Sequence, residues 1–174
     1  FLAATIYTLL LLLWMALLSL VLSLLIFGAG DLVVFHSNIV VQISAGDVFW
    51  RYLAAFAFAA IAMTTVAALS FLLSLFAENS IGPIVATMSI VILFTILTTM
   101  DLPLFLSIKP YLFTSHMLGW KGFFNVASDA GQSAVAGTVY NMSAIMQSAG
   151  ILLLHILLFV SATVIIFRRK DVLS

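Results

Sequence analysis

FLAATIYTLLLLLWMALLSLVLSLLIF, residues 1–27, decides the class of this protein: it contains no charged side chain, and the next residues, Gly28-Ala29-Gly30, are a helix-stopping sequence. A helix rising 1.5 Å per residue needs about 20 apolar residues to cross a hydrocarbon core of about 30 Å. The run from Phe1 to Phe27 exceeds that length. Its unbroken apolar stretches, such as Leu9 to Leu13, contradict the alternation of a membrane β-strand, so a helix is expected. Lipid cannot satisfy open backbone groups, and a helix satisfies its own.

Three further segments have the same character. One lies at 48–77, between Arg51 and Glu78 for most of its length, with Asp47 placed to cap its start and to pair with Arg51 at i,i+4. Another covers 81–102, opening at Ser80-Ile81-Gly82-Pro83, where proline suits a first helical turn, and closing near Asp101-Leu102-Pro103. The last covers 144–167 and runs straight into Arg168-Arg169-Lys170-Asp171. The expected fold class is therefore all-α: one transmembrane domain of four helices in a bundle.

Composition agrees. Hydrophobic residues make up 65% of the 174-residue chain and charged residues 7%, with a mean hydropathy of +1.33. Soluble domains sit nearer about 45–50% apolar and about 25% charged. Six basic and six acidic side chains could not clothe a water-facing surface of this size. A net charge of zero gives no attraction for nucleic acid, and the absence of cysteine removes disulfides, thiol catalysis and cysteine-based metal sites. The opening Phe1-Leu2-Ala3 has neither Met nor a basic segment, so it does not read as a signal peptide; a start partway through a longer protein is expected.

Half of the basic residues sit in Arg168-Arg169-Lys170, which by the positive-inside rule puts the C-terminus in the cytoplasm. The link at 77–82 is then cytoplasmic, and the segments 28–46 and 104–143 lie outside. Lys109 and Lys121 fall on the outer side, against the trend. The second outer segment is long and carries Tyr111, Phe113, Trp120, Phe123, Phe124 and Tyr140, aromatics of the kind found at headgroup level. Short interfacial or re-entrant helices are expected around Pro110 to Phe124, followed by a flexible connection over Ala127 to Thr138.

Ionisable groups within spans are costly and point to function or to pairing. His155, in Leu154-His155-Ile156, could line a polar path or relay a proton; a lone histidine also serves simply by bonding a neighbouring helix. Asp101 could contact a substrate leaving the bundle or be a solvated helix end. The second span is rich in alanine, with Ala55 and Ala59 a small-xxx-small pair and Thr64, Thr65, Ser70 and Ser74 able to bond across helices. It is the candidate for the buried centre of the bundle or for an interface with a second copy. No zinc helix, nucleophile elbow or phosphate loop occurs, and His36, His116 and His155 lack ligand spacing, so neither catalytic nor metal-binding residues are assigned. Asn141-Met142-Ser143 matches a glycosylation sequon, a pattern common by chance.

In this order the features resemble the C-terminal part of an ABC-2 type transporter permease, the membrane subunit of an ATP-driven transporter. Three places carry the resemblance: the short link Leu75-Phe76-Ala77-Glu78-Asn79-Ser80-Ile81-Gly82-Pro83, the long outer segment Leu104 to Ser143 ahead of the last span, and the closing Ile165-Ile166-Phe167-Arg168-Arg169-Lys170-Asp171-Val172-Leu173. The resemblance covers essentially the whole chain, although its motifs are loose. Such permeases usually have six spans, so the four here would match the third to sixth, without the cytoplasmic coupling helix that meets the ATPase. The resemblance implies a multi-pass protein of the plasma (inner) membrane that moves a substrate, in the direction of export, driven by ATP hydrolysis on a separate ATPase subunit. It further implies no cofactor in this chain, no enzymatic activity of its own, and a second permease copy or homologous permease as partner. Glu78, Asn79 and Ser80 and the tail Arg168, Arg169, Lys170 and Asp171 are the implied ATPase contacts, although a basic tail also anchors a helix end without touching protein. Two other readings stand beside it: a non-transporting membrane scaffold or anchor for a partner enzyme, and a secondary-transporter fragment. The latter calls for interrupted spans or charges near the midplane, which only His155 approaches.

Overall fold

A computed structural model of the chain describes residues 2–36, 39–79, 81–100, 107–124, 139 and 141–171. It is a bundle of four long helices: α1 (Leu2–Phe27), α2 (Ala45–Ser74), α3 (Ile81–Thr99) and, after a short helix α4 (Phe113–Met117), α5 (Met142–Asp171). All four long helices have the length and hydropathy to cross a membrane. They match the four spans read from the sequence with ends shifted by up to four residues, α2 closing at Ser74 rather than 77 and α3 at Thr99 rather than 102, and the protein is an all-α membrane bundle.

The helix ends follow local chemistry. Gly28, with φ +74°, takes the left-handed conformation that closes α1, and its N–H donates to the Leu24 carbonyl at 3.0 Å. Between α1 and α2 lies an antiparallel hairpin that the helical reading passed over, β1 (Leu32–His36) and β2 (Ile39–Ile43), paired from Leu32↔Ile43 to His36↔Ile39. Its signal is present in Leu32-Val33-Val34-Phe35 and Ile39-Val40-Val41, two runs rich in β-branched residues on either side of Ser37-Asn38.

The hairpin moves the start of α2. The helix begins at Ala45, three residues before the expected 48, so Asp47 lies inside its first turn and does not cap it. Ser44 occupies the cap position without a side-chain hydrogen bond. The capping carboxylate comes instead from Asp31, at the foot of β1, which accepts from the Ala45 N–H at 2.9 Å and from Gln42 Nε2 at 2.8 Å. At the other end, α5 continues through Arg168 to Asp171 rather than stopping at 167. Cationic side chains are favourable at a helix C-terminus, where they face the negative end of the macrodipole.

α2 is the centre of the bundle. Its buried positions Asp47, Arg51, Ala55, Phe58, Ala62, Thr65 and Leu69 follow one another at spacings of three or four, and with Ala68 beside them form one stripe along the helix. Ala55 is on that stripe; Ala59 is only half-buried, beside it. The helix touches α1, α3, α4 and α5. Hydroxyls expected to bond across helices instead bond back within their own: Thr64 to the Ala60 carbonyl at 2.7 Å, Thr65 to Ile61 at 3.0 Å and Ser74 to Phe71 at 2.7 Å. A carbonyl one turn back is always within reach of a threonine hydroxyl, whereas a partner on another helix requires registration.

Chain direction fixes what shares an end. α2 and α5 run parallel and pack directly on each other, and α3 runs back along α2, so the hairpin and the start of α5 lie at one end, and the α2–α3 link and the α5 tail at the other. α1 has no buried residue and packs chiefly against α2.

Candidate functional site

Residues 107–124 form an inserted segment that dips into the bundle from the hairpin end. It comprises a 3₁₀ turn at Lys109–Tyr111, the short helix α4 and a second 3₁₀ stretch at Leu118–Phe124. Short helices over Pro110 to Phe124 were expected from the aromatics, and the structure places them against α2, α3 and α5. Phe113 is 2% exposed, with its ring centroid 5.8 Å from Phe94, 5.9 Å from His155 and 6.2 Å from Phe159. His155 lies about 20 Å along α5 from Met142 at 1.5 Å per residue. The segment is therefore re-entrant: it reaches a depth well inside the helices. The flexible connection expected over 127–138 lies outside the described residues.

The segment is held at its far end by a buried charge pair. Asp47 and Arg51, one turn apart on α2, bond at 2.8 Å through both Nε and Nη2 to Oδ2. Asp47 Oδ1 also accepts from Trp50 Nε1, and the Arg51 guanidinium lies 5.5 Å from the centroid of the Trp50 ring. The remaining arm of Arg51 leaves the pair: Nη1 donates at 2.6 Å to the carbonyl of Phe123, 72 residues away. Arg51 is 1% exposed and Asp47 5%. The planar fork of arginine satisfies a carboxylate and a carbonyl together, a geometry that a lysine ammonium does not reproduce.

A second attachment lies nearer the entry of the segment. His116 Nε2 is 2.9 Å from the Pro110 carbonyl, which can only accept, so that nitrogen carries the proton. Nδ1 of the neutral ring then accepts from the Ser148 hydroxyl of α5 at 3.2 Å. Ser115 Oγ donates to the Lys109 carbonyl at 2.7 Å and closes the first turn.

Two glycines allow the close approach. A Cβ on Gly119 would stand 2.6 Å from Phe58 Cζ and 3.1 Å from Ser148 Cβ, and one on Gly122 would stand 2.8 Å from Ile145 Cγ1. Phe58 is 3% exposed and its ring cannot withdraw into solvent. Gly119→Ala is therefore expected to destabilise the protein by about 1–3 kcal/mol through overpacking, whereas Gly46→Ala, with open space at the Cβ position, leaves the midpoint of thermal unfolding in detergent within a degree or two. Equal midpoints for the two variants would count against the close packing at Gly119.

The residues singled out from the sequence fall in three places. His155 is half-buried against the inserted segment; its Nδ1 is 2.8 Å from the Ile151 carbonyl one turn back, so Nδ1 is the protonated nitrogen, and its ring packs on Phe113 and Phe159. At the tail end, Glu78 is exposed, and Asn79 Oδ1 accepts from the Gly82 N–H at 2.9 Å, capping α3. Arg168 and Arg169 are exposed at that same end, and the backbones of Lys170 and Asp171 complete α5. Ser80 and Asp101 lie outside the described residues. No group of three His, Asp or Glu able to hold a metal ion occurs among the described residues. Sequence reasoning paired Arg51 with Asp47 but gave it no role beyond α2, although an arginine six residues into a span of a chain this poor in charge is a signal in itself.

Compared with protein-family models, with curated proteins and with solved structures, the chain matches none.

Proposed function

We propose that the chain is the permease part of an ATP-driven transporter of the ABC-2 type, exporting a substrate across the plasma membrane while a separate ATPase subunit supplies the energy. The observation that carries this reading is the re-entrant segment at 107–124, inserted between α2, α3 and α5 immediately before the last span. A segment that enters from one face and is pinned inside can close that face of a path and move as a unit when the surrounding helices tilt. In this reading the hairpin end faces outward and the tail end faces the cytoplasm. Glu78, Asn79, Arg168 and Arg169 would meet the ATPase there, with Ser80, Lys170 and Asp171 in the same two stretches. A second permease copy would complete the substrate path. His155, beside Phe113, would sense the position of the segment.

These 174 residues contain no cysteine, and any cysteine elsewhere in the full-length protein is first replaced by serine. Single cysteines at Glu78, Arg168 and Val33 are placed in the full-length protein, in cells that also make its phosphate-loop ATPase. Bifunctional thiol cross-linking is expected to join the ATPase to the first two and not to Val33→Cys, and a membrane-impermeant maleimide is expected to label only Val33→Cys in intact cells. Surface labelling at Arg168→Cys would reverse the polarity, and the absence of any ATPase adduct at both tail-end positions would support the scaffold reading instead.

A further inference from the structure

α1 and α2 do not pack together along their whole length. At the hairpin end a cavity of about 590 Å³ separates them, walled by Leu20, Leu24 and Phe27 of α1 and by Val48, Phe49 and Tyr52 of α2. That volume falls within the about 300–1,000 Å³ typical of small-molecule sites. Both ends of the cavity are defined by hydrogen bonds. At the deep end the Tyr52 hydroxyl donates to the Ala16 carbonyl at 2.6 Å and ties the two helices together. At the mouth Asp31 ties β1 to the first turn of α2.

The walls are apolar and the mouth is anionic. Asp31 is the only charged group among the described residues that line the cavity. Its described partners are both neutral, the Gln42 amide and the Ala45 N–H, one on each carboxylate oxygen. An ionised carboxylate offers about four acceptor positions, so capacity for a charged donor remains. The one cation on α2, Arg51, is directed to Asp47 and to the Phe123 carbonyl. From Leu20 to Phe27 the apolar wall runs about 10 Å along the helix axis, most of the ~15 Å half-thickness of a bilayer core. Since α1 has no buried residue, the cavity stands at the lipid-facing edge of the bundle.

We propose that this cavity is a binding site for an amphiphilic cation, a single alkyl chain bearing an ammonium head, taken up from the leaflet at the hairpin end. The chain lies between α1 and α2, and the ammonium meets Asp31. A neutral head would forgo the charge interaction, and an anionic head would be repelled by a carboxylate that no described lining residue neutralises. The proposal stands on the cavity alone and does not require that the protein be a transporter.

The test is photolabelling of the full chain in phosphatidylcholine nanodiscs, with an alkylamine carrying a diazirine in its chain and with the N-acetylated, uncharged form of the same molecule. Adducts are mapped by mass spectrometry. The amine is expected to label residues 20–27 and 48–52 at least fivefold more than its acetylated form, and excess dodecyltrimethylammonium is expected to compete. Asp31→Asn keeps an oxygen to cap α2 and removes the charge, so labelling by the amine should fall to the acetylated level, while Asp31→Glu retains the preference. Gly30, which lines the cavity with open space at its Cβ position, becomes a plug in Gly30→Trp and should suppress both probes. Equal labelling by the two probes in the unaltered protein, no labelling there at all because another helix fills the space, or a preference unchanged in Asp31→Asn would each overturn the proposal.

Discussion

Arg51→Ala is expected to cost about 3–5 kcal/mol of stability, because it leaves the Asp47 carboxylate buried without its counter-charge. The same change strips the Phe123 carbonyl of its donor, and a buried acceptor left unpaired adds its own desolvation penalty. Arg51 and Asp47 are among the least exposed polar residues of the bundle, so solvent cannot substitute for either. Two further variants separate charge from shape. Arg51→Lys keeps the charge but cannot bond Asp47 and the Phe123 carbonyl in the same geometry, and should fall between the parent and Arg51→Ala. The double variant Asp47→Leu with Arg51→Met removes both charges and should be less damaging than Arg51→Ala alone, since replacing a whole buried pair by apolar groups is often close to neutral. Unfolding in mixed detergent micelles measures all three. If Arg51→Ala unfolds within about 1 kcal/mol of the parent, the pair is exchanging with water and does not pin the inserted segment.

Phe113→Ala should be comparably severe, at about 3–5 kcal/mol, the range for removing a buried aromatic ring from a core that cannot collapse around the void. Phe94, His155 and Phe159 surround that ring from two different helices, and none can fill its space without leaving its own helix register. Edge-to-face ring pairs add about 0.5–1.5 kcal/mol beyond area burial, so Phe113→Leu should recover only part of the loss. The control is Tyr111→Ala, two residues away and 77% exposed, which is expected to stay within about 0.5 kcal/mol of the parent. Should the two alanine variants unfold together, residues 107–124 would be lying on the bundle rather than in it, and the re-entrant geometry that carries the functional reading would fail with it.

These two residues also mark the limit of what could be read without coordinates. The inserted segment was legible from Tyr111 to Phe124 as an aromatic stretch unsuited to open water, but its depth was not, because depth depends on which ring meets Phe94 and Phe159 across the fold. The Asp47–Arg51 pair was legible because a spacing of four on one helix is a local property; the third arm of the guanidinium was not. Glu78 and the arginine tail could be grouped by counting crossings, whereas the Asp31 carboxylate that starts α2 belongs to a hairpin that the helical periodicity concealed.

Sequence alone determined that four helices cross hydrocarbon, because membrane insertion sums transfer free energies over about 20 consecutive residues and each term is independent of the rest of the fold. It determined where α1 stops, since only Gly28 takes that positive φ without strain. Tertiary structure alone decided that Arg51 reaches Phe123 and that α1 and α2 part to leave a cavity with Asp31 at its mouth. Each of those is a contact, or a gap, between groups that no local rule brings together, and its energy exists only once the intervening helices have packed.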